Sequence, residues 1–360
     1  MVLLLYRERM ELNMKLLPIA EPMIRYSPSI DHFLSILNLY NDKTLPWIIE
    51  NYIEVVFNPL HGISYFSAEF LDIYKFWWNC PFITVSRVER ILVNDVVSTI
   101  KKAVDNGIYV MVVVDTYYIH EYATYRRDHV PHEIFIHGYG DDFFYTSDYF
   151  NFSFCREGVT PFVEFRDAYY RLAKSEKDYL KGLVFFNPNE EVIKNGKPDI
   201  NGQPDYEFQM SVNGKIYIPD KKLIKQKIEG FLSSSPLALV SYPNEFDPCY
   251  GFKTGFFALI DMVNEISADT LPLLKKPLCL IFDHIRLMSI RIQYLEEFYN
   301  LPIHLLYCQC SEIEKRCLIL RNKYLKDMIS NRVDVSNIKR SIHDLLWDYR
   351  LLMEKLVLEL

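Results

Sequence analysis

Helical periodicity, then β-branched runs joined by turn signals, then helical periodicity to the end of the chain predict an α+β fold rather than a wound βαβ one. Three observations carry that prediction. Residues 108–115 (IYVMVVVD) form a nearly unbroken β-branched run, the mark of a strand buried on both faces. Residues 133–138 and 143–148 flank Gly140-Asp141-Asp142, which reads as a hairpin turn. From Lys221 onward the pattern is almost wholly helical, with its longest segments at 278–299, 310–329 and 335–360.

The elements follow in order. Residues 29–40 place Ile30, Phe33, Leu34 and Leu37 at helical spacing behind a cap at Ser27 or Ser29. Residues 45–57 are a second apolar-periodic stretch. Cys80-Pro81 reads as the opening of a third helix over 82–93, since proline suits a first helical position. Residues 96–104 are amphipathic and end at Asn106-Gly107, a helix-stop signal. After the strands, 162–173 returns to helix, and 182–186 and 206–212 read as strands. Asn213-Gly214 is a further hairpin signal. No internal repeat is visible. The expected domains are a core over 14–218 and a helical region over 219–360. Residues 1–13 read as a ragged start, because Met14-Lys15-Leu16-Leu17-Pro18 looks like a second beginning.

Composition narrows the function classes. Half of the 360 residues are hydrophobic, which fills a core and excludes wholesale disorder. Forty Lys+Arg against 47 Asp+Glu leave a net charge of −7, so the chain has no basic footprint for nucleic acid. No run reaches the ~18 to 20 apolar residues of a membrane span. The apolar opening at 1–5 is too short for a signal peptide and meets Glu8 and Glu11 at once, so a cytoplasmic location is expected. Seven cysteines at irregular spacings then read as free thiols. Cys308-Gln309-Cys310 lacks the second half of a zinc site. Twelve glycines and no phosphate-loop, HExxH or GxSxG motif leave no cofactor or metal to expect.

The densest polar cluster is His129-Val130-Pro131-His132-Glu133, at the entry to a strand, with Asp148 sixteen residues after His132. If 133–138 pairs with 143–148, His132 and Asp148 meet at one edge of the sheet. A carboxylate there can hold one imidazole nitrogen and leave the other for a nucleophile's proton. A plain surface hairpin with a solvated His and Asp has the same pattern. Alternation sets His132 with Ile134 and Ile136, an inward face, and leaves His137 and His129 toward solvent or the loop.

Residues 107–115 (GIYVMVVVD), Tyr117-Tyr118-Ile119 and 125–139 (YRRDHVPHEIFIHGY) resemble the butirosin-biosynthesis acyltransferase type of papain-like protein. So do 282–288 (FDHIRLM), 291–295 (RIQYL) and Leu320-Arg321-Asn322, and the similarity covers roughly 15–331. The resemblance implies a papain-like fold, with a nucleophile at the start of a helix packed on a sheet that carries His and then Asp. It maps His132 to the base and Asp148 to the orienting acid. It also implies an amide-forming acyltransferase of natural-product assembly. The acyl group would pass from a carrier-protein thioester, borne on phosphopantetheine, to a small amine. A hydrolase, or a non-catalytic ligand binder, are the rival classes.

The chain departs from that pattern at the nucleophile, because no cysteine precedes Cys80. Ser27, or Ser29 after it, would hold the position, by nature or by replacement of a cysteine. Alternatively Cys80, at the start of its own helix, is the nucleophile, its thiol favoured by the helix dipole. Otherwise the site is dead. Further candidates are His32 on the first helix, Trp77-Trp78 as an acyl-pocket wall, and His284 with Arg291 on one helical face; all three also fit plain core packing. Lys221, Lys222, Lys225 and Lys227 could dock an acidic carrier. The apolar stretch 344–360 either closes the core or buries against a second subunit as a homodimer.

Overall fold

The structure is a computed structural model, and it describes residues 14–57, 68–70, 77–150, 156–172, 178–189, 193, 217–235 and 253–360. Two compact units divide the chain: residues 1–43 with 74–205, and residues 44–73 with 206–360. The sequence placed the division at 218/219. Contacts instead group 44–73 with the C-terminal helices, which periodicity along the chain cannot reveal.

The elements, in chain order, are β1 (Lys15–Leu16), α1 (Pro28–Leu37), α2 (Asn41–Glu50), β2 (Val55–Phe57), β3 (Ala68–Phe70), β4 (Ile83–Val88), α3 (Val96–Asp105) and β5 (Tyr109–Asp115). They continue with β6 (Pro131–Tyr139), β7 (Phe143–Asp148), β8 (Arg156–Pro161), α4 (Phe162–Tyr170), β9 (Leu183–Pro188), α5 (Lys221–Ser233), β10 (Lys253–Thr254) and α6 (Gly255–Asn264). The last three helices are α7 (Lys275–Tyr299), α8 (His304–Ile329) and α9 (Val335–Glu359). α3 and α4 interrupt the run of strands, but every strand pairing among the described residues is antiparallel, so the α+β class holds.

In the first unit, a seven-stranded antiparallel sheet runs β4-β9-β5-β6-β7-β8, with β1 paired to the far end of β6. Every residue of β5 is buried, which is why its sequence lacks polar alternation. β6 pairs β7 through Phe135↔Ser147 and Ile136↔Thr146, then slips by a bulge before Gly138↔Tyr145. α3 is capped by Asp95, whose side chain accepts from Val97 N and Ser98 N, and past its end Gly107 adopts φ +77°.

Several sequence expectations are corrected here. Residues 82–93 are not a helix: Ile83–Val88 is a strand paired along its length with β9, from Ile83↔Pro188 to Val88↔Leu183. The proline signal outweighed the β-branched Ile83, Thr84, Val85 and Val88, which favour a strand. Residues 45–57 split into the end of α2 and β2, separated by Tyr52 at φ +54°. β8 has no counterpart in the sequence reading, because REGVTP is a polar strand ending in proline. Residues 1–13, 206–212 and the Asn213-Gly214 turn lie outside the described residues.

In the second unit, β10-β2-β3 form a small antiparallel sheet, and long helices supply the core. The apolar stripe of 344–360 closes that core through Leu345, Leu346, Tyr349, Leu352, Met353 and Leu356. Among the described residues, no helix is long and apolar enough to cross a membrane.

Candidate functional site

α1 is buried on every side, including its polar residues Asp31 and His32, so it lies inside its unit rather than on its surface. It runs along β6 in the same direction: Ser29 Oγ donates to Glu133 Oε1 at 2.5 Å, and the His32 ring stacks on Phe135 with centroids 4.9 Å apart. Tyr109 of β5 also stacks on Phe135, at 5.7 Å. The first turn of α1 therefore sits over the start of β6, where His132 is. Trp77, buried against Phe186, donates from Nε1 to Ser29 O at 3.2 Å. Trp78 is exposed. The pair is one core residue and one surface residue.

His132 Nδ1 lies 2.9 Å from Asp148 Oδ2 and 3.0 Å from the Glu133 carbonyl. Both are acceptors, so Nδ1 carries the hydrogen, and Nε2 is left for a substrate or nucleophile. Asp148 is fully buried, whereas the His132 side chain keeps 32% of its exposure. Tyr122 OH also donates to Asp148 Oδ2, and Tyr149 N donates to Oδ1 at 2.7 Å. Three donors thus hold the carboxylate in place. Burial disfavours charge on His132, but Asp148, by its charge and its hydrogen bond, and Glu133 outweigh burial and raise the imidazole to about 10. The resting ring at neutral pH is an imidazolium.

Ser27 is the N-cap residue of α1, with Pro28 behind it, and is 6% exposed. Its hydroxyl caps nothing, and its carbonyl accepts from Ile30 N and Asp31 N. Among the described residues no hydrogen bond joins Ser27 to His132. The α1 hydroxyl that finds a carboxylate is that of Ser29. Cys80 is excluded as a dipole-activated thiol: it opens no helix, and burial pushes it up to about 12.

Residues that sequence reasoning passed over complete the cluster. Glu133 is buried between Ser29 and Tyr179, whose hydroxyl donates to Glu133 Oε2 and accepts from Glu133 N at 3.0 Å. Burial opposes its charge, yet His132 and the hydroxyl donors hold its carboxyl below the usual range. Strand alternation could have flagged Glu133, since it shares a face with Phe135. No spacing could have singled out Tyr122 or Tyr179 among 26 tyrosines. His137, expected at solvent, is buried, and its Nδ1 faces Leu17 O at 3.3 Å. His129 is exposed as expected and is tied to Asp115 at 2.7 Å.

The other candidates resolve as structure. His284 sits in the core, with Nε2 2.7 Å from Ile53 O and Nδ1 2.8 Å from Tyr349 OH. Arg291 binds carbonyls at the end of α2. Lys227 is engaged by Glu50 O and Asn51 Oδ1, and Lys221 lies over Tyr299. Among the described residues, no His/Cys/Asp/Glu group could hold a metal.

His32 is fully buried and, despite nearby Asp148 and Glu133, is pulled down to about 4 by burial. It stays neutral in the fold while an unfolded chain takes a proton below ~6.5, so stability falls as pH drops through that window. The expected loss between pH 7 and pH 5 is roughly 2 kcal/mol more for the wild type than for His32→Phe. That variant keeps a ring on Phe135 but takes no proton; urea midpoints at the two pH values check it. No protein-family model matches the chain, and no curated protein matches it.

Proposed function

We propose that the chain has the frame of a papain-like acyltransferase, in which a cysteine at position 27, where this chain has Ser27, would move an acyl group from a carrier-protein thioester to an amine through an acyl-enzyme. The reading rests on one observation above the others: a buried Asp148 fixes His132 through Nδ1 at 2.9 Å and, among the described residues, no hydrogen bond occupies Nε2. An anionic nucleophile at the helix N-cap would attack the thioester carbonyl, with backbone N–H groups of the first turn facing the oxyanion. The pantetheine thiol leaves with a proton from His132. An amine then attacks the acyl-enzyme and returns a proton to His132.

The charge on His132 decides which nucleophile suits this site. An imidazolium stabilises a neighbouring thiolate, but it cannot take the proton of a serine hydroxyl. A cysteine at position 27 is therefore the reactive form. Ser27→Cys is expected to acquire one acyl group from an acyl-pantetheine thioester, seen by intact mass, at least 100-fold faster than the protein with Ser27. Removal of that adduct by His132→Ala supports the reading. No adduct on Ser27→Cys, with a carrier-bound thioester also tried, overturns it. Ser27 and its lack of a hydrogen bond to His132 favour a second reading, a ligand binder built on the same frame. Unreacted thioester held by the Ser27 protein, measured by calorimetry, is the result that reading expects.

A further inference from the structure

Glu133 is the most connected polar side chain beside His132 that the acyl-transfer steps leave unused. Its Oε1 accepts from Ser29 in the first turn of α1, and its Oε2 accepts from Tyr179. Its backbone carbonyl accepts from His132 Nδ1 at 3.0 Å, and its N–H donates to Tyr179 OH at 3.0 Å. One buried residue therefore touches the nucleophile helix, the imidazole and the approach to β9. A carboxylate taken out of water is costly unless its oxygens are satisfied, and here hydroxyls reach both. Such an arrangement is expensive for mere packing, since an apolar residue would fill the space at lower cost.

We propose that Glu133 is a positioning residue of the His132 site: it holds the first turn of α1 on the base-bearing strand, and its charge acts on the imidazole beside that of Asp148. The proposal rests on reading His132 as the working imidazole. Four other titratable groups face the same ring or its partners and share the field: Asp148 on β7, His32 on α1, Tyr122 from the segment between β5 and β6, and Tyr179 before β9. The two functions of Glu133 separate cleanly by substitution. Glu133→Gln keeps the shape and one acceptor oxygen but removes the charge. Ser29→Ala keeps the charge and breaks the tie to α1.

The test follows the His132 imidazole resonances by NMR through a pH titration of the full chain, alongside acylation of Ser27→Cys by an acyl-pantetheine thioester. Glu133→Gln is expected to lower the His132 midpoint by about one pH unit. Ser29→Ala is expected to leave the midpoint within about 0.3 unit and to slow acylation about tenfold or more by misplacing the helix start. Thermal melts establish that each variant is folded; should Glu133→Gln fail to fold, Glu133→Asp with Ser29→Ala replaces it. Aspartate retains the charge but not the reach, so it should match Ser29→Ala in rate and the parent in midpoint. An unmoved midpoint in Glu133→Gln, or unchanged acylation in Ser29→Ala while Ser27→Cys reacts, overturns the proposal. If no form acylates but Glu133→Gln moves the midpoint, acyl transfer fails and the electrostatic role of Glu133 stands.

Discussion

Asp148→Asn, made in a Ser27→Cys background, is expected to slow acyl-enzyme formation by about 10³-fold or more. Three donors converge on this carboxylate: His132 Nδ1 and Tyr122 OH on Oδ2, and Tyr149 N on Oδ1. An amide offers a single acceptor oxygen. Tyr149 N is a backbone donor that cannot turn away, so the amide oxygen must face it and the amide NH2 must face His132. Two donors then meet unless Nδ1 gives up its hydrogen, which leaves a neutral ring protonated only on Nε2 and removes the charge that would stabilise a thiolate. The Tyr122 hydroxyl can rotate to accept, so the fold is retained while the tautomer is reversed. Rate by intact mass, and the His132 tautomer by nitrogen chemical shift, check the two halves of this argument. A tenfold loss or less with an unchanged tautomer would remove Asp148 from its orienting role.

Arg291→Ala is expected to destabilise the second unit by about 3 to 5 kcal/mol. The guanidinium is fully buried, donates from Nε to Ile49 O at 2.5 Å and from Nη2 to Asn51 O at 2.9 Å, and meets Met288 Sδ at 3.5 Å. It caps the carbonyl end of α2, where the helix dipole favours a cation. Burial draws the guanidinium down to about 10, yet it keeps its proton at neutral pH. Truncation leaves a large cavity and strands two buried carbonyls, and the sum of those terms sets the figure. Arg291→Met refills most of the volume and should cost distinctly less. Urea unfolding of the three proteins checks the order. Equal stability of Arg291→Ala and the wild type would show that the α2 carbonyls find other partners.

The elements legible in the sequence were those whose burial pattern is local. β5 declared itself by seven consecutive residues that the sheet covers on both faces. The β6–β7 hairpin followed from its turn, and through strand pairing it brought His132 to Asp148 without any knowledge of the rest of the fold. α1, α3 and the long C-terminal helices were visible because periodicity and caps lie within the helix itself. β4 was misread because Pro81 is a local helix signal, while pairing with β9, about a hundred residues on, decides the state of 83–88. β8 was missed for a related reason, since an edge strand needs apolar residues on one face at most.

The sequence alone determined that the chain is α+β, that His132 and Asp148 can meet, and that no cysteine precedes Cys80. Tertiary structure alone decided the electrostatics. That tyrosine and backbone donors hold Asp148 in place, that Glu133 lies between Ser29 and Tyr179, and that His132 is therefore held as a cation all depend on residues brought together from separate elements. A hydrogen bond at a given spacing can be read along a helix or across a hairpin. The desolvation of a carboxylate cannot, because it is set by everything that packs around it.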